Sequence, residues 1–358
     1  MAAWLQEVWL RRGPWAMALL PLSLVYASLA GLRALAYRIG WAHSIEVPVP
    51  VVVVGNLVAG GAGKTPTVMA IVAAQRARGF RPGIVSRGHG RHGSALLDVQ
   101  PDTQAADCGD EPLLLRLRTG APVVVGRDRV AAARELLRLH PGVDLIVSDD
   151  GLQHLRLARQ AQVLVFDERG AGNGWLLPAG PLREPMPART PPRSVVLYNA
   201  PAPSTALPGH LAQRSLAGAV SLQAWSNGQA MSLATLHSLR GRPMLAAAGV
   251  ARPERFFSML EAAGLTITRL PLPDHWSFES LPWPADGAEV IVTEKDAVKL
   301  RARGEGTTRV WVAALDFVPH AGFDAALAAL LPPPPTVSPP SSTSSPLPPE
   351  IDHGNTFA

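Results

Sequence analysis

One cysteine, Cys108, stands in the 358 residues. That excludes an intramolecular disulfide framework and a four-cysteine zinc site. Ten histidines are present, yet none falls in HExxH or another paired ligand spacing. Charged residues make up only 17% of the chain and hydrophobic residues 47%, which excludes a disordered polyelectrolyte. The net charge is +5 and no run of five basic residues occurs, so the sequence calls for no nucleic acid partner. Lysine is nearly missing. Of 33 basic residues, only Lys64, Lys295 and Lys299 are lysine. A chain that otherwise uses arginine keeps lysine there, which marks these positions.

The two ends are unusual. Residues 13–32 carry no charge, with Arg11 and Arg12 before them and Arg33 after. Twenty helical residues span roughly 30 Å, the thickness of a bilayer core. A secretory signal, a transmembrane helix, an interfacial helix and a buried core helix all fit this run. Arginine on both flanks leaves the orientation open. Residues 332–358 hold nine Pro and five Ser; they are expected to form a disordered tail with polyproline segments.

Between the ends lies an α/β pattern. Short apolar runs at 49–54, 82–86, 122–126, 143–148 and 162–166 alternate with helix-like segments at 65–78, 111–118 and 128–139. Such alternation predicts a parallel sheet with helices on both faces. Residues 168–193 then carry ten Gly or Pro and no periodicity. A stretch this long without structure is usually functional or disordered. A second α/β set comes next, with strands expected at 243–248, 265–270, 289–293 and 309–314, and helices at 252–263, 295–302 and 322–331. The predicted organisation is an N-terminal membrane-associated segment at 1–40, a P-loop NTPase-like domain at 41–200, a smaller α/β domain at 201–331 and the tail at 332–358. The domain boundary falls near 200–240, where Pro, Ala and Ser crowd together.

The first apolar run leads into Gly60-Gly61-Ala62-Gly63-Lys64-Thr65, which opens a helix. Strand, glycine loop and helix form the context of a phosphate-binding loop. Glycines let backbone N–H groups turn toward phosphate oxygens, and the helix adds its positive dipole end. Lys64 would reach the β- and γ-phosphates and Thr65 would hold Mg²⁺. The strict motif has Gly where this chain has Val58, so Gly60 and Gly61 are expected to make the tight turn. The plainer reading is a glycine-rich turn that binds nothing.

The run at 143–148 ends in Asp149-Asp150-Gly151. An apolar strand ending in Asp is where such a protein holds Mg²⁺, and ligands of open parallel sheets lie beyond the carboxyl ends of the strands. Adjacent Asp residues on an extended backbone point apart, so both line one site only if the strand has ended. An Asx turn is the plainer reading. Asp110 begins another helix. It reads equally as an N-cap or as a carboxylate taking a proton from an attacking hydroxyl.

Together these residues resemble one family, the tetraacyldisaccharide 4'-kinases, the lipid A kinases of Gram-negative bacteria. The matching segments are VGNLVAGGAGKTP at 54–66, SRGHGR at 86–91, GDEPLLL at 109–115, SDDGLQH at 148–154, GNGWLLPAGPLREP at 172–185, PDH at 273–275 and TEKDAVKL at 293–300. The resemblance implies transfer of the γ-phosphate of ATP to the 4'-hydroxyl of tetraacyldisaccharide 1-phosphate, giving lipid IVA. It implies Mg²⁺ as cofactor and docking of the apolar N-terminal segment on the cytoplasmic face of the inner membrane. A protein partner is not inferred. By position, Gly60, Gly61, Ala62, Gly63, Lys64, Thr65 and Arg183 would hold ATP. Thr65, Asp149 and Glu184 would hold Mg²⁺. Asp110 would act as base, assisted by His275, with Asp150 and His154 completing the catalytic set. Asp110 and His275 would then sit on different domains that close over ATP. The chain departs from the family in having His89 where Tyr is common, Trp276 where a second His is common, and AAGVARPERF at 247–256.

Three other readings remain. A P-loop NTPase without a lipid acceptor would need a water-positioning residue. A soluble sugar or nucleoside kinase would not need residues 13–32. A membrane scaffold with a degenerate loop has only Val58 in its favour.

Overall fold

The computed structural model describes residues 3–284, 289–301 and 308–335. The chain starts with three helices, α1 (Ala3–Val8), α2 (Pro14–Ala18) and α3 (Leu20–Arg38). The uncharged run is thus divided rather than one continuous helix. Leu19 lies between α2 and α3, and Pro14 and Pro21 each occupy the first turn of a helix, where a missing N–H costs nothing. The 19 residues of α3 reach roughly 28 Å. Among the described residues it is the one helix long and apolar enough to cross a membrane. Its outer face exposes Leu22, Leu24, Val25, Leu29, Leu32 and Leu35.

The α/β body comes next: β1 (Val51–Gly55), α4 (Lys64–Ala77), β2 (Pro82–Ser86), β3 (Leu97–Asp98), α5 (Ala105–Cys108), α6 (Asp110–Thr119), β4 (Val123–Val125), α7 (Arg129–Leu139), β5 (Leu145–Asp149), β6 (Ala161–Asp167), β7 (Ser194–Asn199) and β8 (His210–Ser221). The remainder is α8 (Leu222–Ser226), α9 (Leu233–Ser238), β9 (Pro243–Ala248), α10 (Pro253–Ala262), β10 (Thr266–Pro271), β11 (Val290–Thr293), α11 (Glu294–Leu300), β12 (Val310–Pro319) and α12 (Ala321–Ala328). These twelve strands join one sheet in the order β10-β9-β11-β12-β8-β7-β6-β1-β5-β2-β4-β3. The pairs are parallel except β3 with β4 and β8 with β12.

Central strands are buried on both faces, which is why their sequences read as unbroken valine runs. Val52 and Val54 of β1 enter a core shared with Val68 and Ile71 of α4 and Leu113 of α6. Val51 and Val53 enter the opposite core with Val130 and Leu136 of α7. The pattern repeats in the second half. Val290 and Val292 face α11 and α12, while Ile291 faces α9 and α10.

Three strands were not expected: the two-residue β3, and β7 and β8. β7 and β8 lie where Pro and Ser clusters obscured the period. β8 is the join between the halves: it runs parallel to β7 at His210 and Leu211 and antiparallel to β12 from Ala212 to Ser221. The Gly- and Pro-rich stretch 168–193 has neither helix nor strand, yet it is packed, with Asn173, Ala179 and Leu182 buried. Residues 332–335 form neither helix nor strand; the rest of the expected tail lies outside the described residues.

Candidate active site

β1 pairs with β5 so that Val54 lies opposite Asp149. The glycine loop leaving β1 and the aspartates ending β5 therefore meet at one sheet edge. Gly60 and Gly63 take φ values of +98° and +95°, a region strained for any other residue; Gly61 does not. Asn56 holds the loop in shape. Its amide donates to the carbonyls of Val58 and Gly60, and its Oδ1 accepts from Lys64 Nζ at 3.2 Å. Val58 is buried and bridges to Leu182. Valine is tolerated there because the position belongs to this short ladder, not to the turn. Ala62 is fixed from behind, its carbonyl accepting from Asn199 Nδ2 at 3.0 Å. Thr65 is half-buried in the first turn of α4.

Asp149 is the last residue of β5 and Asp150 turns away at φ +46°. The strand has ended, so the pair can serve one site. Asp149 is 2% exposed. Its Oδ2 accepts from Ser86 Oγ at 3.1 Å, while Oδ1 has no hydrogen-bond partner among the described residues. Burial pushes its pKa up, and the charges of Glu111 and Asp150 add to this; Lys64 and Ser86 oppose it. A buried carboxylate with one oxygen left unpartnered, at the strand end that meets the glycine loop, offers the hard oxygen donor that Mg²⁺ takes. The residues present fit that ion. Asp150 Oδ1 accepts from Arg183 Nη1 at 3.0 Å and lies 3.6 Å from Lys64 Nζ. Burial would raise its pKa, but Lys64 and Arg183 hold it below the usual carboxylate range.

Asp110 is 6% exposed and is the first residue of α6; the N-cap is Gly109. Asp110 is therefore not the N-cap itself; its Oδ1 accepts from the Glu111 backbone N–H at 3.0 Å, which leaves Oδ2 for partners outside the helix. Asp110 Oδ2 meets His275 Nδ1 at 2.9 Å. His275 sits at φ +63° in the loop after β10, its backbone N–H donating to Gly249 O at 3.2 Å. Lys295 Nζ lies 3.3 Å from His275 Nε2 and 3.2 Å from both Glu111 and Asp274. Burial alone would raise the Asp110 pKa. The His275 hydrogen bond and the Lys295 and Lys299 charges outweigh it and bring the value to about 2. His275 moves up, chiefly through the same hydrogen bond. The His89 ring lies 5.4 Å from that of His275, and Trp276 packs against the core.

Two expected site residues are placed elsewhere. His154 Nε2 accepts from the Arg129 backbone N–H at 3.3 Å. Burial and Arg129 lower its pKa to about 4, so it is a neutral acceptor at the start of α7. Glu184 is hydrogen-bonded to Gln153 with Arg159 nearby. It lines a cavity of about 530 Å³ with Tyr37, Leu57, Leu152 and Arg193. Among the described residues it shares no hydrogen bond or ion pair with Thr65 or Asp149. Sequence reasoning assigned no role to Asn56, Ser86, Glu111, Gln153, Lys295 or Lys299. The near-absence of lysine elsewhere and the TEKDAVKL segment at 293–300 marked the last two without giving them a role.

The model of the tetraacyldisaccharide-1-P 4'-kinase family matches residues 15–332. The chain belongs to this family. A tetraacyldisaccharide 4'-kinase of Methylibium petroleiphilum is 58% identical over 336 residues, 92% of this chain and 94% of the relative. One from Leptothrix cholodnii is 54% identical, covering 92% and 96%. The crystal structure of LpxK from Aquifex aeolicus, described as a complex with ATP, superposes with a TM-score of 0.72 at 24% identity, covering 88% of this chain and 99% of that one. That likeness shows a shared fold over most of this chain.

Proposed function

We propose that the chain transfers the γ-phosphate of ATP to the 4'-hydroxyl of tetraacyldisaccharide 1-phosphate, forming lipid IVA. The reading rests on the names of its close relatives and on one geometric observation. Buried Asp110 pairs with half-buried His275, and Glu111, next to Asp110 on α6, is close enough to Asp149 at the glycine loop to push its pKa up.

Each part of the site has its own task. Residues 60–65 form the phosphate-binding loop. Lys64, now shared by Asn56 and Asp150, turns to the β- and γ-phosphates when ATP arrives. Thr65 and Asp149 hold Mg²⁺, which when bound neutralises charge on the transferring phosphoryl group. Arg183 and Asp150 frame the γ-phosphate. Glu184 orients the Gln153–Arg183 pair, and His154 fixes the start of α7 behind Asp150. The acceptor oxygen forms its bond to phosphorus as the bond to the β-phosphate oxygen breaks and ADP leaves. Its proton passes to Asp110 and comes to rest on His275, so the pair acts as one base.

The halves at 41–200 and 201–331 close over ATP, since Asp110 and His275 come one from each. The exposed apolar face of α3, flanked by Arg12, Arg33 and Arg38, seats the protein on the cytoplasmic face of the inner membrane. Measuring ADP release with and without the disaccharide lipid tests the function. Acceptor-dependent release is expected; release indifferent to the lipid supports an NTPase instead.

A further inference from the structure

Only Ser23 is buried on α3, at 5% exposure. Its Oγ donates to Leu176 O at 2.9 Å and accepts from Ala179 N at 2.9 Å. Tyr26 lies three residues on, the same face of the helix, and its hydroxyl donates to Arg183 O at 2.8 Å. Trp9 Nε1 and Arg12 Nε extend the contact, donating to the carbonyls of Pro178 and Asn173. The far side of the same segment faces the glycine loop. Ala59 N donates to Pro181 O at 2.8 Å and Arg183 N to Leu57 O at 2.7 Å, while Arg183 Nη1 holds Asp150. Residues 176–183 are thus a slat with the apolar helix on one side and the phosphate-binding loop on the other.

We infer that Ser23 and Tyr26 are positioning residues that couple the seating of α3 on a lipid surface to the placement of Arg183 and of residues 57–59. The inference rests on the membrane reading above. In water α3 is held through few polar contacts while its apolar face stays exposed. A bilayer covers that face and fixes the helix; the two hydroxyls then fix the slat. Coupling of this kind is reciprocal, so a lipid surface tightens nucleotide binding and nucleotide tightens membrane binding by the same factor.

The test uses the full chain, Mg²⁺ and a nonhydrolysable ATP analogue. Phosphatidylethanolamine and phosphatidylglycerol vesicles without the acceptor lipid supply the surface. Kd for the analogue is measured with and without vesicles, and co-sedimentation is read on the same samples. The expected gain is about fivefold or more, the low end of measured couplings. Tyr26→Phe and Ser23→Ala should sediment with vesicles yet lose the gain, and Ser23→Thr should keep it. An unchanged Kd in vesicle-bound protein overturns the inference, as do both variants retaining the full gain. Failure to sediment is a different result: it removes the membrane reading, and the coupling falls with it.

Discussion

Lys299 Nζ lies 3.9 Å from Asp110 Oδ2 and 3.4 Å from Asp296 Oδ1. One buried ammonium, its side chain 9% exposed, thereby stands between α6 of the first half and α11 of the second. Asp296 is fully buried and anchors the second half, accepting from Gly249 N at 3.1 Å and Thr293 Oγ1 at 2.7 Å. The lysine balances the buried carboxylate of its own helix, Asp296, and that of Asp110 across from it.

Removing that charge should be costly. Lys299→Met is expected to destabilise the protein by about 3–5 kcal/mol, the range for breaking a buried ion pair. The double variant Lys299→Met/Asp296→Asn should recover part of the loss, because no uncompensated Asp296 carboxylate then remains beside the methionine. Denaturant melts of the two variants check this. Equal stability of Lys299→Met and the parent would contradict the buried-cation account.

Asp110→Asn should lower turnover by roughly 10²–10⁴-fold, the usual contribution of a positioned base, with little change in ATP affinity. His275→Ala should cost a similar factor. The combined variant should lose much less than the product of the two, because the pair acts as a unit. Multiplicative losses would show that the two residues act separately.

The pH profile is set by the directions of the shifts. Asp110 stays ionised down to about pH 2, so it sets no limb in the neutral range. His275 must start neutral to receive the proton, and its pKa is raised. At saturating Mg²⁺, activity should therefore fall as pH drops through a midpoint above the ordinary histidine value of about 6.5. In His275→Ala the residual activity should lose that limb. A limb that persists unchanged in the variant would contradict the assignment.

Asp149 offers a separate test. Its folded pKa is raised, so the native state binds the proton more tightly than the unfolded chain. Stability should then rise as pH falls from above the raised folded pKa toward the unfolded value near 3.8. At neutral pH the carboxylate is a cost that Mg²⁺ relieves. Asp149→Asn should raise Tm by a few degrees and abolish the Mg²⁺-dependent rise in Tm expected of the parent with nucleotide. A lower Tm in this variant would show that the carboxylate is already well compensated.

Much of this arrangement is legible in the sequence, and the reason is local. β1 and β5 are unbroken apolar runs, and the segment after each is short: a glycine loop after Gly55, an acidic pair after Ser148. Position along the chain is then enough to bring Lys64 to Asp150. The valine at 58 looked like a defect because its partner, Leu182, lies in a stretch with no period to read. β8 was hidden for a similar reason. Its pairing with β12 is distant in sequence, and a strand that carries Gln213, Arg214 and Ser215 without full burial shows little of a buried run. His154 and Glu184 sit in motifs with true site residues, but sequence spacing does not say which way a side chain turns. The lysine cluster draws on three segments, at 110–111, 274–275 and 295–299, and only folding puts them in reach.

The most direct measurement is transfer of labelled γ-phosphate from ATP to tetraacyldisaccharide 1-phosphate in detergent micelles, run with the parent and Asp110→Asn side by side. The expected result is label on the 4'-oxygen of the lipid with the parent and a loss of that product with Asp110→Asn, while both bind ATP alike. Label released as inorganic phosphate regardless of the lipid, or lipid labelled equally by both proteins, would contradict the account.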